Sequence, residues 1–312
     1  MAEKLLPDHR AIRKLPGYKQ AGEIGRVAFN AWIDDHAQSM GAALAYYTLF
    51  SIAPLVLIVI SVAGIWFGAD AARGEIFGQI SGLVGPAGAS AIQNLLQSVN
   101  KPVGGITATT FGLALMLNGA TTVFAELQDS LDRIWQVPMR GASGLWNLLR
   151  ARLLSFGLIL GLGFLMVVSL LLSAGLSAVQ SWWTPHMLGW EHVVSVVHEA
   201  VAFALVTLMF ALIYKLMPRS RIEWRDVVVG AFATATLFTW GKWLIGLYIG
   251  TSGISSGFGA AGSLVAVLIW VYYSAQIFLF GAECTWVYAH TLGSRTQADV
   301  PDSNEPQATG SS

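Results

Sequence analysis

Charge is what this sequence has least of. Asp, Glu, Lys and Arg make up 12% of its 312 residues, about half the roughly 25% of an ordinary soluble domain. The eighteen basic and eighteen acidic side chains cancel, so no overall basic field points to nucleic acid as a partner. Cysteine is nearly absent as well. Cys284 stands alone inside an apolar run, which excludes an intrachain disulfide and gives no signature of an oxidising compartment. The first 26 residues hold Lys4, Arg10, Arg13, Lys14, Lys19 and Arg26 with no apolar core among them, so no cleavable signal is expected.

Catalytic constellations are missing too. Gly257, Gly259 and Gly262 spell GxGxxG, but no strand precedes them and an apolar span follows, so a dinucleotide site is not expected. Glu191, His192, His198 and Glu199 pair at helical spacing without an HExxH, and no metal site is assigned to them. No nucleophile elbow, phosphate loop or basic and aromatic RNA surface is present. The expectation is a protein without cofactor or metal that is not an enzyme.

What the chain has is apolar length, with 54% hydrophobic residues and 33 glycines. The stretch from Thr109 to Trp135 is apolar for about 17 residues and then turns into Glu126, Asp129, Asp132 and Arg133, as a helix leaving a bilayer does. The resulting fold class is an all-α polytopic membrane protein with the lipid bilayer as its first partner. Its six spans are expected at about 40–67, 106–127, 145–176, 196–217, 227–249 and 262–288, within a membrane domain over 40–289. A polar arm covers 1–17, and an amphipathic helix over 18–34 is expected to lie in the membrane surface. The exit loop 68–105 carries an amphipathic stretch around Ala91, Ile92, Leu95, Leu96 and Val99 that is expected to pack back on the outer surface, and the polar tail 291–312 is expected to be disordered.

Six spans put both termini on one side. Fifteen basic residues fall on that side, including Arg133, Arg140, Arg150, Arg152, Lys215, Arg219, Arg221, Arg225 and Arg295, against Arg73 and Lys101 on the other. The positive-inside rule then makes both termini cytoplasmic.

With depth assigned, Glu283 near the inner end of span six lies level with Glu126, and both lie level with Arg150, Arg152 and Lys215. Together with Asp129 and Arg133 these form a candidate gate or substrate path, the alternative being ion pairs that only fix helix packing. Lys242 sits nearer the outer face and either snorkels to the interface or marks a polar cavity. Pro54 in span one removes a hydrogen bond to the carbonyl of Phe50 and should bend the helix. With Gly257, Gly259 and Gly262 before span six it forms the candidate hinge set. Gly157 with Gly161, and Gly246 with Gly250, have the spacing that lets helix backbones approach, and a homo-oligomer is separately left open.

Four segments resemble a known family. They are ALAYYTLFSIAPLVLIVIS at 43–61, ELQDSLDRIWQVP at 126–138, WRDVVVGAFATATLFTWGKWLIGLYIG at 224–250 and FGAAGSLVAVLIWVYYSAQIFLFGAEC at 258–284. They look like the YihY/BrkB family of bacterial inner-membrane proteins, some of which carry an old label of ribonuclease BN that these residues do not support. The motif positions are Tyr46, Tyr47, Pro54, Arg133, Trp135, Lys242 and Glu283. The resemblance implies six spans, an inner-membrane location, export or permeation of an unknown solute or anionic lipid-linked molecule, and a role in envelope resistance. A scaffold organising envelope proteins is the alternative.

Overall fold

Pro16 stands where the first described helix begins, a place that suits its fixed φ and where its missing N–H costs no helical bond. Its carbonyl accepts the amides of Lys19 and Gln20 at 2.8 and 3.1 Å, and helix α1 follows as Gly17–Asp34. The computed structural model describes residues 15–68, 122–137, 190–251 and 262–296, with short helical pieces between 70 and 93. Among the described residues every regular element is helical. Gly257, Gly259, Arg150 and Arg152, span three, and all of span two before residue 122 lie outside them.

His36 turns the chain from α1 into α2, Ala37–Phe67, by taking the left-handed conformation at φ 56° and ψ 40°. The helix α2 runs unbroken through Pro54. Beyond it, Ile76, Ala89 and Ile92 of the exit loop bury themselves against Val56 and Ile60 of α2 and Val267. Three further helices follow: α3, Trp190–Leu216, α4, Trp224–Thr251, and α5, Gly262–Thr291. Within these, Ser195–Leu216, Trp224–Tyr248 and Leu264–Thr291 are long and apolar enough to cross a membrane. Each exceeds the roughly 20 apolar residues that a bilayer core requires.

Helix α5 is the axis, packing against α1, α2 and α4, while α3 packs on α4. The α4–α5 crossing is close because glycine faces threonine in both directions. A Cβ on Gly230 would collide with Thr285, and one on Gly281 would collide with Thr234. Each threonine hydroxyl instead donates to its own helix, Thr234 to the carbonyl of Gly230 and Thr285 to that of Gly281, both at 2.7 Å. Tyr214 of α3 completes the junction, donating to the carbonyl of Phe278 at 2.7 Å and lying 3.0 Å from the Thr234 hydroxyl. By contrast Gly246, one of the glycines expected at a helix contact, has open space where its Cβ would be. Its spacing is right, but it lies on a face with no described neighbour.

Helix α1 does more than rest on a surface. Ala28 and Ala31 are buried, and Phe29 and Trp32 reach residues of α4 and α5 near the middle of those helices.

Candidate functional site

The polar groups gather where α3 ends, α4 begins and α5 ends. The helical stretch 122–134 caps this end, burying Phe124, Leu131, Ile134 and Trp135 in the main core. Gln136 stops it in the left-handed region at φ 52°, letting the amide of Val137 return to the carbonyl of Asp132 at 2.9 Å. The apolar face leaves Glu126, Asp129 and Arg133 together on the opposite one, since offsets of three and seven residues share a helix side. Glu126 is half-buried, and Asp129 and Arg133 are exposed.

Asp132 points inward and meets the loop between α3 and α4. Its Oδ1 accepts the amide of Arg219 at 2.8 Å, and its Oδ2 lies 3.3 Å from the Arg219 guanidinium. Burial pushes the Asp132 carboxyl above its ordinary range, and both Arg219 contacts pull it part of the way back. Nearby, Gln128 donates to the carbonyl of Met217 at 2.9 Å. These bonds pin the 122–134 stretch to a loop some 87 positions away.

A second carboxylate, Asp226, is wholly buried in the first turn of α4, where an acid also suits the helix dipole. It accepts the hydroxyl and amide of Ser294. Arg295 then donates to the carbonyl of Arg221 at 2.7 Å and lies 5.1 Å over the Trp135 ring. The chain just beyond α5 is thus strapped to α4 and to the 122–134 stretch. His290 lies in the same corner, its Nδ1 2.8 Å from the carbonyl of Trp286 and its ring against Trp286 and Trp135.

Of the residues expected in one cluster, Glu126, Asp129 and Arg133 do share a face, and Glu283 is wholly buried within α5. Lys215 lies at the same end of the bundle, donating to the carbonyl of Ile222 and lying 5.4 Å over the Trp224 ring. Lys242 is exposed on α4 between exposed Trp240 and Trp243, apart from the others. Gly262 begins α5. Among the described residues no group of His, Cys, Asp and Glu is placed to hold a metal. The Asp226–Ser294 pairing, and the Arg219 partner of Asp132, were not foreseen. The one signal for Asp226 was an acid at the expected start of span five.

Comparison with known proteins bears on this arrangement as a whole. The UPF0761 membrane protein of Pseudomonas paraeruginosa is 28% identical over 267 residues, covering 83% of this chain and 61% of its own. That of Stenotrophomonas maltophilia strain K279a is 27% identical over 268 residues, covering 85% and 60%. That of Xanthomonas campestris pv. campestris is 22% identical over 277 residues, covering 88% and 63%. The chain therefore spans about three fifths of the length of these relatives. No solved structure matches it. The family model described as Virulence factor BrkB matches residues 28–306, nearly the whole length from the middle of α1 onward, and the chain belongs to that family.

Proposed function

We propose that this chain is a multi-pass protein of the bacterial inner membrane, with six spans and both termini in the cytoplasm, that moves a small solute or an anionic lipid-linked molecule across it. The observation that carries this reading is Glu283. It is wholly buried inside the apolar stretch Leu264–Thr291, and ionisable groups in membrane helices are expensive enough that they mark pathways and relays by default. Glu126 and the exposed Asp129 and Arg133 continue the polar character at the adjoining end of the bundle. No chemical step is assigned to any of them.

The test is release from liposomes carrying the purified protein and loaded with small anions, zwitterionic osmolytes or a labelled anionic lipid. Movement of one probe class that drops about tenfold or more with Glu283→Gln, equivalent to about 1.4 kcal/mol in the barrier, supports transport and names the class. A second reading, a scaffold that organises envelope proteins, is favoured by the Asp132–Arg219 and Asp226–Ser294 contacts, which join elements rather than line a path. Folded protein inserted both ways round that moves no probe would decide for it.

A further inference from the structure

We propose that the α1–α2 elbow, where it meets Gln276 of α5, lines a water-filled vestibule reaching from the cytoplasmic side to about the middle of the membrane. This deepens the transport reading by favouring a hydrated solute over a lipid-linked one.

The position of the elbow comes first. The side-chain amide of Gln276 donates to the carbonyl of Gln38 at 3.4 Å, and a Cβ on Gly41 would run into the same amide. Gln276 is the fifteenth residue of the 30 in α5, so it lies roughly 20 Å from either end of that helix. The elbow therefore meets α5 at half its height. Trp32 and Phe29 agree, since with Trp240, Leu244, Tyr273 and Phe280 they enclose an apolar groove of about 350 Å³ at the same level.

The chemistry of the elbow is wrong for that level unless water reaches it. Two residues, Asp35 and His36, interrupt the helix between α1 and α2, with His36 in the left-handed region. Around them Asn30, Asp34, His36, Gln38 and Ser39 are all exposed. Irregular backbone at membrane depth is tolerated only where protein buries it or a water-filled cavity receives it. Exposed carboxylate and imidazole groups at that depth are likewise incompatible with lipid. Among the described residues nothing covers these groups, and charge excludes lipid, so the elbow is assigned to water. Asn30 and Asp34 are one turn apart on a face of α1 turned away from Phe29 and Trp32, so one side of the helix meets the groove and another the water.

Glu283 is wholly buried and lies behind the vestibule, not on its wall. It is two turns after Gln276 on the same face of α5, roughly 10 Å nearer the end of the helix where Asp132, Asp226 and Arg295 gather. A line of polar residues on α5 thus runs inside the bundle from the elbow toward that end.

Thiol accessibility tests this in the full-length protein with Cys284 replaced by Ala. Asp34→Cys and Ser39→Cys report on the elbow. Phe232→Cys is the control: Phe232 is exposed on α4 and precedes Thr234, which meets Gly281 of α5, so it lies nearer the cytoplasmic end than Gln276 and yet faces lipid. In inside-out membrane vesicles, a charged methanethiosulfonate is expected to modify both elbow cysteines at least about tenfold faster than Phe232→Cys, because only a hydrated thiol ionises readily. In sealed right-side-out cells it should modify neither. Elbow cysteines that resist the charged reagent while reacting with membrane-permeant N-ethylmaleimide would overturn the vestibule. Modification from the outer side alone would do the same. Failure of transport is read separately: rapid elbow labelling in a protein that releases no probe from liposomes leaves the vestibule standing and removes the transport reading. Release without elbow labelling does the reverse.

Discussion

Asp132 shows how one side chain can oppose and support the fold at the same time. Its burial favours the protonated form, so the folded chain holds the proton above the ordinary value of 3.8. Folded Asp132 then binds protons more tightly than unfolded Asp132, and its contribution to stability is present below that value and lost as pH rises through the raised one. Asp132→Asn removes the titration and keeps an oxygen to accept the Arg219 amide. The melting temperature of the wild type minus that of Asp132→Asn, measured in detergent, should therefore shrink between about pH 4 and neutrality. A difference that widens over this range would show that attraction to Arg219 outweighs burial. Asp132→Ala is the harsher change. It leaves the Arg219 amide without this acceptor, and a loss of about 1–3 kcal/mol is expected at neutral pH.

Between helices the deciding residues are small. Gly230 and Gly281 admit the threonines of the facing helix, and lipid offers no hydrophobic drive to hold α4 against α5, so close van der Waals packing has to supply the association. Gly230→Ala forces Thr285 or the backbone to move and should destabilise by about 1–3 kcal/mol. Gly246→Ala has open space around it and should be neutral or stabilising by up to about 1 kcal/mol through helix propensity. Thermal melts of the two variants in one detergent compare them directly, and equal losses would mean that the α4–α5 crossing does not depend on the Gly230 contact. Both glycines look alike in the sequence. Spacing identifies small residues on one helix face but not which face has a neighbour, which is why Gly246 was expected at a contact and Gly230 was not.

At the scale of the molecule, the features that follow from local pattern were legible and those that join distant stretches were not. The three long apolar helices begin and end within a few residues of where their hydropathy placed them, because a span needs about 20 apolar residues whatever it packs against. The partners of Asp132 and Asp226 lie 87 and 68 positions away, and no periodicity within a segment encodes such a pairing. The placement of α1 was hidden for a similar reason: an amphipathic pattern states that one face is covered, not whether lipid or α5 covers it. These long-range contacts bring basic residues together. Arg219 and Arg221 of the α3–α4 loop and Arg295 beyond α5 meet around Asp132, Trp135 and the Arg221 carbonyl, so basic residues from separate parts of the chain share one end of the bundle. Asp132 and Arg219 are in contact and so lie at one face of the membrane, as the proposed pair of spans between them requires. In the proposed topology that end is the cytoplasmic one, as the positive-inside rule expects. Alkaline phosphatase fused after residue 140 or after 222 should then be inactive, and fused after residue 185 active, with a fluorescent protein giving the complementary pattern. Activity at 140 and 222 together with inactivity at 185 would invert the whole domain, and would move the mouth of the elbow vestibule to the opposite side.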